Sequence, residues 1–132
     1  MDAFPFVHRE VVRFRDLDPM GHVNNAVYFT WIETARIEFM RRVGAFDQPD
    51  TREMSMILAR VELDFRSAAG FGDEVEIGVR VARLGTKSFE LEHELRSGDR
   101  VVAEARTVLV AFDYDSNESK EIPDEWRRRL AA

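Results

Sequence analysis

From Tyr28 to Val43 the apolar residues recur at helical spacing. Tyr28, Trp31, Ile32, Ala35, Phe39 and Val43 form one stripe, and Val27, Phe29, Ile37 and Met40 widen it. A helix apolar around so much of its circumference cannot lie half-exposed on a surface; it has to be enclosed. The enclosing material must come from segments with the other period, and those follow at once. Val75, Ile77, Val79 and Val81 alternate strictly with Glu74, Glu76, Gly78 and Arg80, and Phe89, Leu91, His93 and Leu95 alternate with Glu90, Glu92 and Glu94.

The remaining elements fall around these two. Phe6–Phe14, with Val7, Val11 and Val12, reads as a first strand. Asp16–Val23 contains Pro19 and Gly21 and reads as a loop. Asn24 or Asn25 is suited to cap the helix, because an Asn side chain accepts from the free N–H groups of the first turn. Gly44 stops the helix behind Arg41 and Arg42, which suit the negative end of its dipole. A polar connection, Ala45–Glu53, carries Pro49. Ser55–Arg66 is the next strand; turns follow at Ser67–Asp73, Leu84–Thr86 and Ser97–Asp99, and Val101–Tyr114 is a long last strand. After the polar break Asp115–Lys120, Pro123 precedes a short helix over Asp124–Leu130. Short turns make antiparallel neighbours, so the class is α+β: one long helix wrapped by one curved antiparallel sheet. At 132 residues, without repeats or low-complexity tracts, residues 1–132 are expected to form one domain.

Composition narrows the function. A net charge of −6 argues against a nucleic-acid surface, which wants clustered Lys and Arg. The absence of cysteine removes disulfides, thiolate zinc sites and a Cys nucleophile, and suits a reducing cytosol. Three scattered histidines offer no metal-ligand spacing. No signal peptide precedes Phe6, and no apolar run approaches the ~20 residues of a membrane span, so a soluble cytoplasmic protein is expected.

The run Asp16-Leu17-Asp18-Pro19-Met20-Gly21-His22-Val23-Asn24-Asn25 sets carboxylates just ahead of the helix. A helix start offers backbone N–H donors and partial positive charge to a developing oxyanion, and a nearby carboxylate offers a nucleophile or a base. Each residue also has an ordinary alternative. Asp18 can simply shape the turn before Pro19, the Asn side chains can simply cap, and Asp16 can brace the loop. His22 lies four positions from Asp18 and is suited either to a proton-transfer role or to supporting the loop. His8 and His93 stand isolated on strands and read as ordinary.

In these residues the chain resembles the hotdog-fold acyl-CoA thioesterases of the 4-hydroxybenzoyl-CoA thioesterase-like family. The matching positions are Asp16-Leu17-Asp18, Gly21, His22–Asn25, Tyr28, Trp31 and the Glu33-x-Ala35-Arg36 element. Further on they are Val61–Phe65, Phe71-Gly72-Asp73, and Leu84-Gly85 with Ser88. The His22–Asn25 run looks more like the long-chain acyl-CoA and plant acyl-carrier-protein branches than the 4-hydroxybenzoyl-CoA type.

The resemblance implies a helix wrapped by about five strands. It implies hydrolysis of a fatty or aromatic acyl-CoA, or an acyl-carrier-protein thioester, with coenzyme A as part of the substrate and no separate cofactor. It makes Asp18 the catalytic carboxylate and the backbone N–H groups at Asn25 and Ala26 the carbonyl-polarising donors, with His22 beside them. Arg60, Arg66, Arg83, Lys87 and Ser88 become candidates for the coenzyme arm. Another hotdog subclass uses a helix glutamate, which makes Glu33 a rival, although pairing with Arg36 is its simpler role; Glu38 is a lesser one. The fold further implies a homodimer or homotetramer joined edge to edge, with sites at the interface and no membrane or nucleic-acid partner. A hotdog hydratase or dehydratase using Asp18 and His22, and a non-catalytic acyl-CoA-binding module, are the competing readings.

Overall fold

The computed structural model describes residues 1, 3–45 and 55–131. The polar connection expected over Ala45–Glu53 lies, apart from Ala45, outside these residues. In chain order the elements are β1 (Phe6–Val11), α1 (Asn25–Arg42), β2 (Met56–Phe65), β3 (Glu74–Leu84), β4 (Ser88–Ser97), β5 (Arg100–Asp113), β6 (Glu118–Ser119) and α2 (Asp124–Ala131). The strands form one antiparallel sheet in the order β1-β3-β4-β5-β2, with β6 paired to β5. The expected α+β class, with a helix against a curved antiparallel sheet, is the observed one.

Alternation puts one face of the sheet on the helix. Val75, Ile77, Val79, Phe89, Leu91, Leu95 and Leu109 are buried, and so are Tyr28, Trp31, Ile32, Ala35, Phe39 and Met40 of α1. Burying a side chain such as Ile32 or Met40 contributes roughly 1.5–3 kcal/mol, and these contacts are what keep so apolar a helix in place. The outer face is charged. Arg80 on β3 bonds Glu92 on β4 at 2.6 Å, and Arg106 on β5 reaches the same carboxylate at 3.1 Å. Partly exposed pairs like these add little stability; they keep the outer face wetted.

Beyond one-residue shifts at element ends, three boundaries differ from those expected. The first strand does not run to Phe14; it ends at Val11, and Phe14–Asp16 forms a single 3-10 turn. The cause is the buried Asp16 carboxylate, which accepts the Arg13 N–H at 2.8 Å and pulls the backbone out of the ladder. β3 runs on to Leu84 through an irregular register between Val81 and Arg83. The polar break after β5 holds the two-residue β6, reached by a turn whose Asn117 has φ of +60°, a conformation Asn tolerates.

One inward position on β4 is polar. His93 is buried, and its Nε2 lies 3.0 Å from the hydroxyl oxygen of Thr107, also buried, on β5. Burial, reinforced by the Arg36 guanidinium, pushes the His93 imidazole down to about 4. The folded protein therefore resists a proton that the unfolded chain takes up near pH 6.5. This stabilising contribution is fully present above pH 6.5 and is lost as pH falls toward 4. Between pH 7 and pH 5 it costs about 2 kcal/mol of stability. Urea unfolding at the two pH values should show that loss, and a His93→Gln variant should lose correspondingly less. Equal pH dependence in the two proteins would contradict the assignment.

Candidate active site

The loop before α1 is built by its own polar groups. Asp16 Oδ1 and Oδ2 accept from the Arg13 guanidinium at 3.1 and 3.3 Å, besides the backbone bond. Burial alone would raise its pKa, but these bonds outweigh it and hold the carboxyl below the usual range. The Asp16 carbonyl accepts the Asn24 N–H at 2.8 Å, while Leu17 and Val23 form an antiparallel bridge. Inside that bridge the Asp18 N–H donates to the His22 carbonyl at 2.8 Å, and the Gly21 N–H to the Asp18 carbonyl at 3.0 Å. Gly21 has φ of +81°, a turn that glycine adopts without strain. The Val23 N–H, bonded to the Ala69 carbonyl at 3.0 Å, ties the loop to the segment before β3.

Asp18 sits half-buried at the turn of this loop. Its Oδ1 accepts the Met20 N–H at 2.9 Å and the His22 N–H at 3.3 Å. Its turn-shaping role is therefore real, and it uses one oxygen. Oδ2 has no hydrogen-bond partner among the described residues. His22 is exposed and meets Asp18 through its backbone N–H.

Asn24 is the cap. Its side chain accepts the Ala26 N–H at 2.9 Å, and its carbonyl accepts the Val27 N–H at 2.9 Å. That corrects the donor pair: the Ala26 N–H is consumed by the cap. The Asn25 N–H is left without an acceptor among the described residues, at the positive end of an 18-residue helix. The loop thus carries one unengaged carboxylate oxygen at its turn and leads into a helix with one open backbone donor at its start. Glu33 lies 3.9 Å from Arg36 and is exposed, so the simple pairing with Arg36 is present. Glu38 pairs with Arg41 at 3.0 Å.

Three of the coenzyme candidates gather elsewhere. Arg83 and Lys87 are exposed around the β3–β4 turn, and Ser88 is half-buried there. The turn is held by the Gly85 N–H on the Ser88 carbonyl at 2.8 Å and by Arg127 of α2, which donates to the Gly85 carbonyl at 2.7 Å. Arg60 lies on β2 beside a register shift, paired with Glu62. Arg66 follows β2 and pairs with Glu104 at 3.5 Å. β3 starts at Glu74, opposite Val11 near the Asp18 loop, and ends at this turn 11 residues on. At about 3.3 Å per residue that is roughly 35 Å. Within one chain the carboxylate and the expected coenzyme turn stand at opposite ends of the sheet.

Hollows on the surface follow the same division. One, about 560 Å³, lies on the charged outer face among Arg80, Glu92 and Arg106, away from Asp18. A second, about 460 Å³, borders Asp16, Val27 and Trp31 beside the helix start. A smaller one, about 130 Å³, lies between α1 and strands β2 and β5, lined by Phe29, Ile32, Arg36, Leu58 and Thr107. By sequence alone His93 stands as an ordinary strand residue and Thr107 carries no mark. The available signal was their inward phase, with Phe89, Leu91 and Leu109, on otherwise apolar strand faces.

With this geometry in view, comparison with known proteins is direct. The profile of the Thioesterase-like superfamily matches residues 12–130, and the chain belongs to that family. A thioesterase from Thermus thermophilus, crystallised with coenzyme A and Zn, is 38% identical and superposes with a TM-score of 0.88, covering 98% of this chain and 94% of that one. The long-chain acyl-CoA thioesterase FadM of Escherichia coli is 26% identical over 121 residues, 90% of this chain and 92% of its own length. A 1,4-dihydroxy-2-naphthoyl-CoA hydrolase of Nostoc punctiforme is 26% identical over 125 residues, 91% and 82% of the two chains. The fold is the hotdog fold, and the protein is a thioester hydrolase.

Proposed function

We propose that this enzyme hydrolyses acyl-CoA thioesters at the start of α1, with Asp18 as the reacting carboxylate and the Asn25 N–H as the carbonyl-polarising donor. The observation that carries the reading is that one short loop holds a half-buried carboxylate with one unengaged oxygen and leads into a helix whose first N–H is open. The thioester carbon is electrophilic and its thiolate leaves readily. Asp18 either attacks it, giving a mixed anhydride that water then opens, or takes a proton from the attacking water. In both routes the carbonyl oxygen gains negative charge, which the Asn25 N–H and the helix dipole stabilise. His22 supports the loop through its backbone.

The coenzyme turn comes from a second copy. β2 is an end strand of the sheet, ten residues long, with Ile57, Leu58 and Phe65 exposed and Phe29 of α1 exposed nearby. A long apolar edge is unstable in water unless something pairs with it. Antiparallel pairing of β2 with the same strand of another copy sets its Phe65 end, which the Asp18 loop accompanies through Tyr28 and Ala69, against the partner's Met56 end. Ser88 lies beside Val110, which pairs with Ile57, so the partner's Arg83–Ser88 turn and Arg60 approach this protomer's carboxylate. A dimer is then the least assembly that completes a site. A hydratase mechanism would need a His–acid proton relay, and the Asp18–His22 contact runs through the backbone instead.

The test is thiol release. Purified protein is given saturated acyl-CoAs from short to long, benzoyl-CoA and hydroxybenzoyl-CoA, with acyl-carrier-protein thioesters as a separate arm. Turnover on at least one CoA thioester is expected. Binding without thiol release across the whole panel would overturn the reading.

A further inference from the structure

Arg36 is the least satisfied charge among the described residues. It lies on the buried face of α1 with its side chain 9% exposed, and its Nε has no hydrogen-bond partner. A guanidinium stays charged even when desolvated. Its nearest carboxylate, Glu33, stands 3.9 Å off with a side chain 67% exposed, and so offsets little of that charge. His93 adds nothing to the balance, since it is neutral and turned to Thr107. An underpaired buried cation is costly to keep unless something anionic visits it.

The surroundings define the visitor. Arg36 lines the cavity of about 130 Å³ between α1 and the sheet, where Phe29, Ile32, Leu58 and Val61 supply apolar walls and Thr107 a hydroxyl. Arg36 lies 11 residues beyond Asn25, and at about 100° per residue that returns it to within about 20° of the same helix face. Phe29 and Ile32 occupy the stripe between them. The axial separation is roughly 16 Å, shortened by an arginine side chain that leans back toward the helix start. A cavity of this volume holds about four groups of the size of a water or methylene, which is room for the far end of a chain and its carboxylate.

We propose that the cavity is the acyl subsite and that Arg36, with Thr107, binds a carboxylate at the far end of the acyl group. The preferred substrates are then CoA monothioesters of short to medium dicarboxylic acids: thioester at Asn25, methylenes along Phe29 and Ile32, terminal carboxylate at Arg36. The inference rests on the thioesterase reading above and adds the substrate class.

The test compares chain-matched pairs, adipoyl-CoA with hexanoyl-CoA and suberoyl-CoA with octanoyl-CoA, by kcat/KM. The wild type should prefer the ω-carboxyl member of at least one pair by about 10- to 100-fold, the range of one charge-assisted contact. Arg36→Met should erase or invert that ratio, mainly through KM, and Arg36→Lys should restore part of it. Thr107→Val should reduce it while keeping the side-chain shape. If Arg36→Met fails to fold, the wild-type ratio and the Thr107→Val ratio still decide. Hydrolysis of plain acyl-CoAs with no ω-carboxyl preference would overturn this inference and leave the thioesterase reading intact. No hydrolysis of any thioester would overturn the reading beneath it.

Discussion

Asp18→Asn should lower kcat/KM for thioester hydrolysis by about 10²–10⁴-fold, the range lost with a positioned acid–base or nucleophilic group. The loop should survive the change. Asn presents the same Oδ1 to the Met20 and His22 N–H groups, so the turn that Asp18 shapes is kept while the oxygen proposed as nucleophile or base is removed. The loss should therefore fall on kcat, with the thermal midpoint close to that of the wild type. Asp18→Ala separates the two roles further, since it removes both the chemistry and the turn. Wild-type turnover in Asp18→Asn, with destabilisation only in Asp18→Ala, would reduce Asp18 to a turn residue.

Much of this fold is legible in the sequence because its two periods do not overlap. The stripe from Tyr28 to Val43 and the alternation from Val75 to Val81 admit no exchange, and Gly98 and Asn24 mark boundaries by conformations and bonds few other residues supply as readily. What escaped has physical causes. The first strand overshoots to Phe14 because a β-rich string carries no mark of the buried Asp16 carboxylate that bends Arg13–Asp16 into a turn. β6 is two residues long and has no period to read. Asp16 as brace and a cap at Asn24 or Asn25 were readable from residue chemistry; that Asn24 takes the cap and spends the Ala26 N–H on it was not. His93 and Thr107 face inward by phase, yet only their contact across two strands shows that they belong together.

The larger gap concerns distance. Asp18 and the Arg83–Ser88 turn can be read as parts of one site, and nothing in linear order reveals that β3 holds them at opposite ends of the sheet. The proposed pairing at the exposed β2 edge would close the gap, because antiparallel pairing of two copies crosses their ends. In the proposed dimer each composite site would draw Asp18 and Asn25 from one protomer and Arg83, Lys87, Ser88 and Arg60 from its partner. Two such sites would form per dimer, related by its twofold axis.

Mixing two crippled proteins tests that claim most directly. One carries Asp18→Asn; the other carries Arg83→Glu with Lys87→Glu, which should repel the coenzyme's phosphates and raise KM by an order of magnitude or more. Each alone should be nearly inactive at low acyl-CoA. After unfolding together and refolding, about half of the dimers should be mixed, and each of those should hold one intact site. Activity should then return to about a quarter of the wild type at equal total protein. If each site lay within a single chain, every site in the mixed dimer would carry a lesion, and no recovery beyond the sum of the separate proteins would be seen.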